Sequence, residues 1–343
     1  MTAPRIIDLH NHVIPLTFVN ALRAEPARYG MRIEDRDGKI FYERRGRFSE
    51  LRPVFYDAGA KLAAMDAMGI EIAALSAAPP VFLHHLETAA AVAAASHIND
   101  GIAQIVNEHP ARLRGMAFLP MQHPDAAIAE LERVVREYGF KAVELATSIN
   151  GAQLAEKQFR PVLRTIEQLG CFVFTHPYQC SADGGMDDYD FYNLLGFPFD
   201  TTLMVAHLMF SGALDELKTL KIVLSHGGGY IPFQIGRLAH GHKLRPGTRR
   251  DSTTSPAELL RRFYFDALTH DAEAARYLID KVGADRVVIG TDHPFDMGPE
   301  NLLASIAAIP RLTADERAQI CERTAAGLLG ELTDQATQRE RGF

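Results

Sequence analysis

Five side chains in this 343-residue sequence are of the types that hold a divalent ion: His10 and His12 around Asn11, His176 in THPY, His226 in SHGGG and Asp292 in GTDHP. Neutral imidazole and carboxylate suit one divalent ion, Zn2+ foremost, with Mn2+ the alternative. Three imidazoles and one carboxylate leave a coordination position open, and such an ion lowers the pKa of a bound water from about 16 towards 7. Each residue alone is a weak signal. His176 by itself reads as a core histidine, His226 before Gly227-Gly228-Gly229 as the start of a phosphate loop, and Asp292 as a turn cap.

The elements that must position them change that weighing. Short apolar, β-branched runs recur at Arg5–His10, Ile70–Ser76, Leu113–Leu119, Lys141–Thr147, Cys171–His176, Lys221–His226, Phe263–Leu268 and Arg286–Asp292. Amphipathic stretches lie between them: Thr88–Glu108, Asp125–Tyr138 just after Pro124, and Ala152–Gly170 and Asp271–Gly283, which both end at a glycine. Strands alternating with helices predict an α/β fold, a (β/α)8 TIM barrel, with an open doubly wound sheet as the other arrangement of the same pattern. In an extended segment residues i and i+2 share a side, so His10 and His12 face one point. His176, His226 and Asp292 end strands five, six and eight, whose C-terminal ends converge on the mouth of a barrel where active sites form.

Two stretches exceed a minimal barrel. Residues 23–55, with a hairpin-like DRDGK, read as a small insertion or lid after strand one, and Gln179–Thr201 as a long loop after strand five. The whole chain, 1–343, is expected to be one metal-dependent barrel domain. A net charge of −7 argues against a nucleic-acid or membrane-surface binder. Cys171, Cys180 and Cys321 have no CxxC spacing, which predicts a reducing compartment. With no secretory leader pattern and no long apolar run, the expected location is cytoplasmic.

DLHNHVIP, THPY, SHGGGYIPFQIGR and GTDHPF resemble the motifs of the decarboxylase branch of the amidohydrolase superfamily, particularly the aminocarboxymuconate-semialdehyde decarboxylase family. The likeness includes ALSAAPP, FLPMQ and FYFDALTHD. It implies a TIM barrel with a small insertion and a single ion held by His10, His12, His176 and Asp292, with His226 as acid/base beside it. It also implies that Arg237 enters the active site of a neighbouring subunit, so that a homodimer is the active form. Read without the resemblance, Arg237 is a surface residue of the helix after strand six. Binuclear amidohydrolases place a bridging lysine at the end of strand four, whereas here Lys141 opens that strand and Ala146 and Thr147 close it. That supports one ion.

The chain departs from the family in places that bear on substrate. Tyr42 stands where the muconate enzymes carry a substrate-binding arginine, with Arg44, Arg45 and Arg47 as nearby substitutes. Tyr178 replaces a tryptophan and His293 a tyrosine. The expected pocket is lined by Tyr178, His293 and Phe295, with Arg237 on the carboxylate. The expected reaction is non-oxidative decarboxylation of a small unsaturated or aromatic carboxylic acid. A hydrolase or hydratase of a lactone or conjugated acid would use the same His10, His12, His176, Asp292 and His226, and a non-enzymatic metal-binding barrel is the third reading.

Overall fold

Eight parallel strands are hydrogen-bonded in chain order in this computed structural model, which describes residues 4–331 apart from 45 and 183. They are β1 (Ile7–Val13), β2 (Ile72–Ala77), β3 (Leu113–Phe118), β4 (Ala142–Ala146), β5 (Phe172–His176), β6 (Lys221–Leu224), β7 (Phe263–Asp266) and β8 (Val287–Val288). Leu9 N–H donates to the Ile289 carbonyl at 3.0 Å and His12 N–H to the His293 carbonyl at 2.8 Å, which joins the first strand to the last. The fold is a (β/α)8 barrel. Helices cover the outer face and side chains fill the inside, so both faces of each strand are buried and the runs read as continuously apolar rather than alternating.

The helices between the strands include α1 (Ala58–Met68), α2 (Thr88–Glu108), α3 (Pro124–Tyr138), α4 (Arg160–Gln168), α5 (Phe197–Phe210), α6 (Ile231–Leu244) and α7 (Ala272–Val282). Local chemistry sets their ends. The Asp57 and Asp271 carboxylates accept from the backbone N–H groups of Ala60 and Ala274, each at 2.7 Å, capping α1 and α7. Pro124 opens α3, and Gly139 closes it with φ +66°.

Two stretches differ from expectation. The predicted helix from Ala152 begins only at Arg160, because Asn150 (φ +51°) and Gly151 (φ +83°) turn the chain into a small hairpin of Ser148–Ile149 with Ala152–Gln153. The predicted loop through Thr201 is already helical at Tyr192, in a π turn that runs into α5. The insertion forms an antiparallel sheet of Ile33–Arg36, Lys39–Arg44 and Arg47–Leu51. Among the described residues no helix is long and apolar enough to cross a membrane.

Candidate metal centre

At the C-terminal mouth, β1 does not run as a plain strand. Its pairing with β2 shifts register between Asp8 and Asn11, a bulge that re-aims the side chains around His10. Buried Asp8 holds this bend: one oxygen accepts from the His10 N–H (3.0 Å) and Thr291 N–H (3.1 Å), the other from the Asn11 amide (2.9 Å) and Thr291 hydroxyl (2.6 Å). From α1, the buried Lys61 ammonium donates to the Asn11 side-chain carbonyl at 2.8 Å and to the His12 backbone carbonyl at 2.9 Å. His10 and His12 therefore arrive at the mouth on a braced backbone.

The other members come from strand ends. His176 closes β5. His226 (φ +53°) and Asp292 (φ +55°) both sit in the left-handed region that non-glycine residues seldom occupy, a conformation that clusters at functional sites. The turn after His226 requires glycine: at Gly228, φ is +77° and a Cβ would come within 2.6 Å of the Phe265 ring.

The donors converge on Asp292. Its Oδ1 lies 3.2 Å from His10 Nε2, 3.1 Å from His12 Nε2 and 3.7 Å from His176 Nε2, whereas its Oδ2 lies 3.6 Å from His226 Nε2. One donor atom each from His10, His176, His226 and Asp292 falls within 4.8 Å of the others. The Nε2 atoms of His10, His12 and His176 and Oδ1 of Asp292 are buried and lack a well-formed hydrogen bond. Orphaned buried polar atoms are costly. Four of them pointing at one volume, three imidazole nitrogens and a carboxylate oxygen, form a donor set that fits a divalent ion of the zinc or manganese type.

The surroundings hold the rings in the tautomer that exposes Nε2. Asp266, at the end of β7, accepts from His10 Nδ1 at 2.7 Å, and the Ser76 hydroxyl lies 3.1 Å from His12 Nδ1. His176 Nδ1 donates to the Pro177 carbonyl at 2.6 Å. Such partners orient metal-binding histidines. Gly290 makes room for the Asp266–His10 pair, since a Cβ there would stand 2.8 Å from the Cβ of each.

Electrostatics follow from the same contacts. Burial pushes His12 down to about 4 and His176 down to about 3, so both are neutral lone-pair donors. Burial acts on His10 in the same direction, but the Asp292 and Asp266 carboxylates outweigh it and favour positive charge at this point, the charge that a bound ion would supply in place of a proton. Asp292 is held well below the usual carboxylate range, because His10 and the other imidazoles overcome the effect of burial. Burial lifts Glu144, 3.6 Å from His12 Nδ1, well above that range.

A cavity of about 660 Å³ opens from this cluster. Its wall includes His176, His226, Asp292 and Phe295. Tyr178 is elsewhere: it lies beyond the end of β5, alternation no longer governs it, and it packs against Phe82 and His84 on a separate cavity of about 230 Å³. His293 is partly buried away from the larger cavity. Arg237 is exposed on α6, outside this chain's own cavity and without a hydrogen bond or ion pair among the described residues. Tyr42 packs partly buried against the core, and Arg47 is exposed. Arg45 and the Arg44 side chain lie outside the described residues. Sequence reasoning missed Asp266, Asp8, Lys61 and Glu144. Asp266 alone carried a local signal, as the acidic end of the apolar run FYFD.

The amidohydrolase family model matches residues 7–330. The chain belongs to the amidohydrolase family. Among amidohydrolase relatives, the 2-amino-3-carboxymuconate-6-semialdehyde decarboxylase of Dictyostelium discoideum is 32% identical over 327 residues, 90% of this chain and 88% of that one. The 5-carboxyvanillate decarboxylase of Sphingomonas paucimobilis superposes with a TM-score of 0.80 at 25% identity, over 96% of this chain and 99% of its own. A dihydroxybenzoic acid decarboxylase of Polaromonas sp. JS666, solved with manganese and 2-nitroresorcinol, shares the fold at 22% identity and a TM-score of 0.72, over 96% of this chain and 97% of that one.

Proposed function

We propose that this amidohydrolase is a metal-dependent, non-oxidative decarboxylase of a small unsaturated or aromatic carboxylic acid, active as a homodimer. The observation that carries the reading is the convergence of the unpartnered, buried donors of His10, His12, His176 and Asp292. These four are the ion's ligands. Zn2+ is the ion the donor set favours, and Mn2+, which the Polaromonas enzyme carries, is the alternative. When bound, the ion supplies Lewis acidity and makes water more acidic.

His226 has a different role from the other histidines. Its side chain is 17% exposed, against 0% for His10 and His12 and 3% for His176, and it faces the opposite oxygen of Asp292. It also lines the cavity where substrate would lie. Decarboxylation breaks the bond between the carboxylate carbon and the substrate, leaving the electron pair on the substrate carbon. That carbon must then take a proton, and His226 is the group placed to carry it. Asp292 is the second proton carrier within reach for a phenolic acid. Phe295 flanks the reacting region, edge-on to His12 at 5.5 Å. Arg237, unpaired on its own subunit's surface, would grip the carboxylate in the other subunit's site.

The test is metal content together with CO2 release across muconate-type and hydroxybenzoate-type acids. The expected result is about one ion per chain and CO2 evolved from at least one acid. Product that retains every carbon would sink the decarboxylase reading and leave a hydrolase or hydratase on the same ligands.

A further inference from the structure

The second cavity, of about 230 Å³, is lined by a buried acceptor that no described residue satisfies. His84, 2% exposed, brings it there from the loop after β2. The Gln122 side-chain amide donates to the Leu83 and Leu86 carbonyls at 3.3 and 3.2 Å, which turns its oxygen to His84 Nδ1 at 3.3 Å. Nδ1 therefore carries the ring proton, and the lone pair of Nε2 is left without a partner. Burial holds His84 down at about 4, so the ring is neutral at pH 7. An orphaned buried acceptor is costly unless something in the cavity supplies it a donor.

Acceptors recur along the wall. The Asn150 side-chain amide spends its N–H on the His84 carbonyl at 2.7 Å, so its oxygen is the group left to present. Glu43, on the middle strand of the insertion sheet, adds a carboxylate, one oxygen of which accepts from Arg32 at 2.6 Å outside the cavity. Phe82 and Tyr178 add aromatic rings, whose faces favour a cation. This wall belongs to one chain and to the other side of the mouth from Arg237. No residue of α5, α6 or α7 lines it, and His84, Phe82 and Tyr178 are 2–4% exposed within the single subunit. Pro80 is the described residue that the two cavities share.

We propose that this second cavity binds a small primary ammonium ion on a short apolar stem, its N–H groups donating to His84 Nε2 and the Glu43 carboxylate and its stem lying against Phe82 and Leu83. The inference is independent of the decarboxylase reading. Size agrees, since a cavity of roughly 150 Å³ already holds benzene and this one has about 230 Å³. An anion would meet a lone pair and a like charge, and an alcohol would leave the carboxylate's charge unanswered. Glu43 belongs to the insertion and His84 to a loop of the barrel, so the bound ion would tie the two together.

The experiment titrates the full-length, metal-loaded protein with butylammonium, butyltrimethylammonium and butanol, followed by ligand-observed NMR. The three share a stem; the second keeps the charge without N–H donors, and the third keeps a donor without the charge. Butylammonium is expected to saturate with a Kd at least about tenfold below those of the other two, the scale of one charge-assisted hydrogen bond. His84→Phe keeps a ring to stack on Phe118 but removes the acceptor, and Glu43→Gln removes the charge. Each should raise the butylammonium Kd at least about tenfold. Glu43 is only partly buried, so Glu43→Gln decides the matter if His84→Phe does not fold. Absence of saturable butylammonium binding overturns the proposal and leaves the cavity to water. Equal affinity for butyltrimethylammonium or butanol overturns it as well. So does an unchanged Kd in either folded variant, which would place the amine elsewhere on the protein, the metal centre included.

Discussion

At the residue scale, the site separates two kinds of histidine that look alike in sequence. His10, His12 and His176 are buried, with Nδ1 engaged and Nε2 aimed at Asp292 Oδ1, whereas His226 approaches from the cavity side. Replacing His226 by asparagine should therefore leave the ion bound while slowing turnover by about 10²–10⁴, the usual scale of a lost acid/base. Metal analysis beside kcat checks this, and loss of the ion would make His226 a ligand. Asp266 acts through His10, holding Nδ1 at 2.7 Å. Asp266→Asn should weaken metal binding by about 10–100-fold. Competition with a chelator measures it, and unchanged affinity would reduce the contact to packing.

At the element scale, what matters is how strand ends are bent and braced. The β1 bulge, clamped by Asp8 and Lys61, aims two histidines at one point, and β8 passes close enough to β1 and β7 that only glycine fits at position 290. Gly290→Ala puts a methyl group against the Cβ atoms of His10 and Asp266. The expected cost is about 1–3 kcal/mol of stability with weakened metal binding, read from urea midpoints and chelator competition on one preparation. Full stability with native affinity would show that the strands can part there. The runs that predicted the strands could not show this, because bulges and close approaches depend on the neighbouring strand.

At the scale of the whole molecule, the segment after β8 is fastened back onto the barrel. Arg276 on α7, 5% exposed, donates to both Glu316 oxygens at 3.1 and 2.9 Å, and Glu316 also closes a capping box with Thr313. The Arg276 guanidinium, with the Thr313 N–H, holds Glu316 at about 2 against an ordinary value of 4.5. A lowered folded-state pKa contributes stability that is fully present above the unfolded value and disappears as pH falls through the folded one. That contribution should fade between pH 4.5 and about 2. Glu316→Gln should therefore be less stable than the native protein at pH 7, with the gap narrowing across that window. Denaturation midpoints at pH 7, 4 and 3 measure the gap, and a constant difference would remove the ion pair from the account.

The family, the barrel and the five converging residues were legible in the sequence, because short apolar, β-branched runs alternate with amphipathic stretches and because His10, His12, His176, His226 and Asp292 lie at the ends of such runs, where barrel topology must bring them together. These are local patterns combined with one rule of fold geometry. The tertiary structure decided the rest. That Asp266 orients His10, that Lys61 braces the His12 backbone, that Tyr178 turns to a second cavity and that His226 faces the open side are relations between residues far apart in the chain. A side chain's partner across a barrel is set by the packing of strands and helices not adjacent to it, and no local periodicity encodes that.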